Sequence, residues 1–228
     1  MLHPGQVQLE TGIQRFDPTD ASWGTRRTLS SALLRVGFFN HIELRASQGY
    51  LHPLPGARPV GETSPSIASP AGFAPLTVGA KFLASTNQDA RSQVVLLTEM
   101  TLRTGDASFQ NKAYEPAVRL LVSQQIGRRF GLEANLGFRQ RGFKAVDTKL
   151  GQYLGTLALN GPLGNNFGFF AEAYTTWQRT AQFLPGVTSG LYWRPLPILR
   201  LDATAGQGLG SHNTGFTLGG GLSIRLPK

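Results

Sequence analysis

The feature that most constrains this chain is a two-residue hydrophobic period that recurs from one end to the other. In Gln6–Gln14, Val7, Leu9, Thr11 and Ile13 fall on one side, and Gln6, Gln8, Glu10, Gly12 and Gln14 on the other. Leu34, Val36 and Phe38 alternate with Arg35 and Gly37. After an Asn40-His41 turn, Ile42, Leu44 and Ala46 alternate with Glu43, Arg45 and Ser47. The pattern continues through Leu76–Phe82, Leu96–Leu102, Val118–Ser123, Leu132–Phe138, Tyr153–Leu159, Phe167–Tyr174, Val187–Arg194, Leu199–Gly206 and Phe216–Leu226. Successive strand side chains point to opposite sides, so each segment reads as a strand with one apolar and one polar face. These are about twelve segments, each near the ~9–11 residues a tilted strand needs to cross a bilayer. An even number places both termini on the same side.

The connections alternate long and short. Long ones are Phe16–Thr28, Leu51–Pro75, Thr104–Glu115, Arg139–Lys149, Thr176–Leu184 and Gln207–Asn213. Short ones centre on Asn40-His41, Asn87–Arg91, Gly127–Arg129, Leu163–Asn166 and Pro195–Pro197. A soluble sandwich has no reason to alternate in this way. An outer-membrane barrel does, with short periplasmic turns and longer extracellular loops. The expected fold is therefore all-β, one membrane-spanning antiparallel up-and-down barrel over residues 1–228.

Alternation alone does not say which face meets water. In a soluble sheet the apolar face is the core; in a membrane barrel it meets lipid and the polar face lines the lumen. Glycine recurs on the polar face at Gly12, Gly37, Gly79, Gly137, Gly190, Gly219 and Gly221, as suits a crowded barrel interior. The polar face also carries Glu10, Arg35, Glu43, Arg45, Lys81, Glu99, Arg119, Glu133, Glu172, Arg194, Arg200, Asp202 and Arg225. An arginine or lysine facing lipid at the midplane costs about 2–4 kcal/mol, whereas charges of both signs can pair inside a lumen. These thirteen residues are the expected lumen-lining charge network.

Several segments resemble the outer-membrane transporter family named for the MetA pathway of phenol degradation. The matching stretches are Leu33–Ser47, Leu76–Phe82, Thr98–Asp106, Leu132–Phe138, Phe167–Tyr174, Gly190–Gly206 and the closing Gly219–Leu226. The resemblance maps the family's polar positions onto Arg35, Gly37, Glu43, Arg45, Gly79, Lys81, Glu99, Gly105, Asn135, Gly137, Glu172, Asp202 and Gly206. Two departures stand out. Leu102-Arg103-Thr104-Gly105 replaces the family's Leu-Pro-Thr-Gly, and the chain closes on Leu226-Pro227-Lys228 where outer-membrane barrels often carry an aromatic residue. The resemblance implies a bacterial outer-membrane protein that moves small molecules, hydrophobic or aromatic ones among them. The phenol in the family's name is not taken as the solute.

Other chemistries find little support. The chain has no cysteine, which excludes disulfides, thiol catalysis and cysteine-based metal sites. His3 lies in a tail, His41 in a turn, and His52 and His212 in two loops, with no ligand spacing, so no metal and no cofactor are expected. Ser211-His212 is adjacent, and adjacent strand residues face opposite sides, which argues against a lipase pair. Gly206-Gln207-Gly208-Leu209-Gly210 precedes a strand rather than a helix, so it reads as a flexible loop and not a dinucleotide site. The net charge of +9 is scattered at strand-like intervals, which does not fit nucleic acid. Arg139, Arg141, Lys144 and Lys149 fall in one long loop, where they would contact lipopolysaccharide phosphates or simply be solvated. No window is apolar enough for a transmembrane helix. Met1-Leu-His-Pro-Gly lacks the basic and apolar regions of a signal peptide, so export implies a leader removed or trimmed.

The expected function is a passive channel for small solutes, without enzymatic activity and with outer-membrane lipid as its surroundings. The alternatives are a closed structural or adhesion barrel, plugged by pairs of Arg35, Arg45 and Lys81 with Glu43 and Glu99, and a soluble all-β binding protein.

Overall fold

A strand leaves a row of backbone donors and acceptors unpaired on each edge, and in an apolar surrounding only a closed ring of strands satisfies them all. The computed structural model describes residues 1–17, 27–53, 71–87, 89, 91–111, 113–142, 150–178, 183–209 and 215–226. Among them are thirteen strands and no helix: β1 (Val7–Asp17), β2 (Arg27–Phe39), β3 (Ile42–Pro53), β4 (Gly72–Phe73), β5 (Thr77–Thr86), β6 (Ser92–Thr101), β7 (Glu115–Ile126), β8 (Phe130–Arg141), β9 (Leu150–Pro162), β10 (Phe167–Gln178), β11 (Leu184–Leu196), β12 (Leu199–Gly208) and β13 (Phe216–Leu226). Apart from β4, each strand pairs antiparallel with its neighbours in the chain. β1 pairs with both β2 and β13, from Val7 opposite Leu226 to Asp17 opposite Phe216, which closes a ring of twelve. β4 is an addition: it pairs with the far end of β3, Tyr50 opposite Phe73 and Leu51 opposite Gly72.

The alternation now has a direction. The apolar side chains point away from the barrel axis. Ile13 is 56% exposed and Leu136 68%; Leu9, Leu34, Leu44, Leu120, Leu157, Leu191 and Leu218 are exposed with them. A water-soluble monomer rarely exposes contiguous apolar patches beyond a few hundred Å², and this belt runs around the molecule. Aromatic rings flank it. Near the long connections, Phe138, Tyr153 and Trp177 follow one another across β8, β9 and β10, with ring centroids 5.2 and 5.1 Å apart. At the short-turn end Phe167 stacks on Trp193, and Phe38 and Phe39 lie beside a register shift after Gly37 that leaves both exposed. An apolar band between two aromatic girdles is the surface of an outer-membrane-type barrel.

The strands run further than the alternation indicated. His52, expected in a loop, belongs to β3, where Ser30 Oγ and His52 Nε2 lie 3.2 Å apart. Arg139 and Arg141, also expected in a loop, end β8. Gly206, Gln207 and Gly208, read as part of a flexible loop, end β12. In each case backbone pairing carries the strand beyond its apolar stretch, because long strands rise past the apolar belt. Lys144, Lys149, Ser211, His212 and most of Leu51–Pro75 lie outside the described residues.

Candidate functional site

The lumen is lined by the polar half of every strand, and two groups of its charges are linked across neighbouring strands. The first spans four adjacent strands at the short-turn end. Arg35 on β2 grips Glu43 on β3 with two hydrogen bonds, Nε to Oε1 at 2.8 Å and Nη2 to Oε2 at 2.9 Å. Its remaining nitrogen, Nη1, donates to Glu10 Oε1 on β1 at 2.7 Å. Gln8 Nε2 donates to the same Glu10 oxygen, and Arg225 Nε on β13 donates to Gln8 Oε1, each at 2.7 Å. The result is one hydrogen-bonded chain around a third of the wall. Strand register explains it: Gln8 faces both Arg35 and Arg225 on the neighbouring strands.

A segment of backbone completes this group. Residues before β1 turn into the barrel. Gln6 N–H donates to His3 C=O at 3.0 Å, closing a tight turn with Pro4 and Gly5 at its centre and Gly5 at φ 82°. The turn brings Leu2 inside, where its N–H donates to Glu43 Oε2 at 3.0 Å. Leu2 is buried, and the Glu43 side chain has no exposed surface. The segment crosses the wall at Gly37. A Cβ there would lie 2.0 Å from His3 O, so only a residue without a side chain admits it. In the sequence, residues 1–5 read as a tail. The Pro4-Gly5 turn was the available signal, but not its destination.

The second group lies on β3, β6 and β7. Glu99 meets Arg45 at 3.6 Å and Arg119 at 3.4 Å. Arg45 and Glu99 sit on opposite sides of β5, and both face Gly79 in the register. A Cβ on Gly79 would lie 2.9 Å from Glu99 Cγ, so the missing side chain lets the pair form over the strand between them. Both groups follow the wall. Among the described residues Lys81 and Glu172 make no ion pair, although Glu43 faces Lys81 in the register. Glu133 accepts from Asn160 Nδ2 at 3.0 Å. Arg139 and Arg141 share the inner face with Arg119, and Arg141 meets Glu115 at 3.5 Å. These two arginines therefore line the mouth from within.

The β10–β11 wall is aromatic. Tyr192 lies opposite Gly168, Phe170 opposite Gly190 and Tyr174 opposite Gly186. In each pair the ring covers its glycine: a Cβ would lie 2.1 Å from Tyr192, 2.5 Å from Phe170 and 2.3 Å from Tyr174. The rings thus lie flat against the wall. Beside Tyr192 and Phe170, at the short-turn end, is a chamber of about 730 Å³ lined by Arg35, Arg194, Arg200, Arg225, Glu10 and Asp202 among others. Among the described residues no group of His, Asp and Glu is arranged to hold a metal ion.

A family model described as Putative MetA-pathway of phenol degradation matches residues 2–226. Among solved structures, an outer membrane channel from Pseudomonas putida F1 is similar with a TM-score of 0.76 at 13% identity, over 99% of this chain and 97% of that one. The KdgM porin has a TM-score of 0.60 at 11% identity, covering 95% and 98% of the two chains. The NanC porin has 0.65 at 7%, covering 96% and 100%. At these identities the likeness establishes the barrel fold. No curated protein matches the chain in sequence.

Proposed function

This chain belongs to the MetA-pathway phenol degradation family, and on that premise we propose that it is a passive channel for small solutes in a bacterial outer membrane. The observation that carries the reading is the arrangement of the lumen charges: two groups of them pair along the wall, and a chamber of about 730 Å³ lies in the same lumen. Paired charges on a wall give a solute a polar, neutralised surface to pass, and pore selectivity follows from such linings and the radius. The apolar belt and aromatic girdles support a membrane setting. The short turns then face the periplasm, and the chamber lies at that end. A ring of twelve lies between filled eight-stranded and open sixteen-stranded barrels, so the passage is narrow. The Leu2–Gly5 segment narrows it further. The role is conduction, and no reaction is assigned to the lumen.

Planar-bilayer recording and liposome swelling with neutral sugars and small acids test this. Discrete conductance steps and flux of the smallest solutes are expected. A folded, heat-modifiable barrel that passes neither ions nor solutes would leave the closed, structural reading in its place.

A further inference from the structure

The chamber at the short-turn end is not neutral. Four arginines line it against two carboxylates, Glu10 and Asp202. Arg35 is spent on Glu10 and Glu43. Of the other three, Arg200 has only a long ion pair with Asp202, and among the described residues Arg194 and Arg225 have none. Among the described residues the Arg194 guanidinium makes no ion pair or hydrogen bond; it packs on Tyr192, 4.8 Å from the ring centroid. Arg200 lies 4.5 Å from the same centroid. Its Nε is buried without a hydrogen-bond partner, and the nearest carboxylate oxygen, on Asp202, stands at 3.8 Å. Arg225 gives Nε to the neutral Gln8.

We infer that this chamber is a binding station for a small organic carboxylate with a compact apolar body, a substrate class that rests on the channel reading above. Tyr192 is itself held flat by Gly168, and its face fixes two guanidiniums by cation–π contact without using their N–H groups. Guanidinium forks held in place with free N–H groups match the two oxygens of a carboxylate, and less is lost on binding when the donors are already ordered. Phe170, Pro197, Ile198 and Leu199 supply apolar surface on the same chamber. The volume falls in the range of roughly 300–1,000 Å³ usual for small-molecule sites. A neutral analogue of the same shape leaves the guanidiniums of Arg194 and Arg225 without a counter-charge, so charge rather than shape decides.

Benzoate and benzyl alcohol are the probes, with the same ring and different charge. Saturation-transfer NMR on the detergent-folded barrel reads binding directly, and bilayer recording reads block of chloride current. Saturable benzoate binding is expected, with little for benzyl alcohol. Losing two charged contacts in R194Q/R225Q weakens it by about tenfold or more. R128Q/R129Q makes the same charge change in the exposed β7–β8 turn, outside the chamber, and is expected to bind as the parent does. Heat-modified gel mobility verifies that each variant folds. Benzoate binding no better than benzyl alcohol, or equal loss in both variants, overturns the carboxylate station. A barrel that binds benzoate yet conducts nothing keeps the station and overturns the channel.

Discussion

Arg35 holds Glu43 by both carboxylate oxygens, at 2.8 and 2.9 Å, and Glu43 is fully buried. Breaking a buried pair from one side leaves a charge without its partner. R35M should therefore lower folding stability by about 3 kcal/mol, the low end of the range for such losses. E43Q should cost less, because an amide oxygen still accepts from Leu2 N–H and no buried charge is stranded. Urea titration of the barrel in phospholipid vesicles measures both. Equal midpoints for R35M and the parent would mean that the pair contributes nothing to holding β2 on β3.

Gly37 sets whether the segment before β1 stays inside. Its φ is not in the left-handed region, so valine suits the strand itself, but a Cβ there would lie 2.0 Å from His3 O. G37V is expected to leave the ring of twelve closed and expel Leu2 and His3 from the lumen, raising single-channel conductance. The absence of cysteine makes this easy to follow, since L2C introduces a unique thiol. That thiol should react slowly with a charged maleimide in the parent background and at least severalfold faster beside G37V. Unchanged labelling would show that the segment does not depend on the space above Gly37.

The flat seat of Tyr192 depends on Gly168. Alanine at 168 would place a methyl group 2.1 Å from the ring, which must then swing off the wall and into the chamber. G168A is expected to reduce conductance and weaken benzoate binding, since Arg194 and Arg200 lose the face that orders them. At Gly164, in the neighbouring turn, a methyl group would meet nothing within 4 Å, so G164A serves as the matched control with no change. A G168A channel that conducts and binds like the parent would remove the ring from the account.

What was legible in the sequence was whatever depends on neighbours in the chain. Alternation at Leu9, Ile13 and Leu136 assigned the outer face, because in a barrel that face is a local property of each strand. Pairing was not legible. Glu43 faces Lys81 across the β3–β5 ladder, yet bonds to Arg35 on the other side. Which cation reaches it depends on side-chain length and on the Leu2 segment that packs beside it. The inner glycines signalled crowding, but only the register shows that Gly79 admits an ion pair and Gly168 a ring. Strand ends were misjudged at His52 and Arg141 because hydrogen bonding continues where hydrophobicity stops.

The outer face gives the sharpest test of the membrane setting itself. Leu136 sits at the middle of β8, opposite Leu120 on β7 and Gly155 on β9, and is 68% exposed. If that surface meets hydrocarbon, L136R should cost about 2–4 kcal/mol. The neighbouring Asn135 points inward and donates to Thr156 Oγ1 at 2.7 Å. N135R places the same charge in the polar lumen and should cost only that hydrogen bond, about 1 kcal/mol. A soluble barrel removes the difference at its source, since an arginine at an exposed leucine position would be harmless in water while the inner position would cost the same in either setting. Folding yields of the two variants into vesicles, read by heat-modified gel mobility and urea midpoints, separate the cases. L136R folding at least as well as N135R, with a midpoint equal to the parent's, would reject the bilayer as the surroundings of this belt.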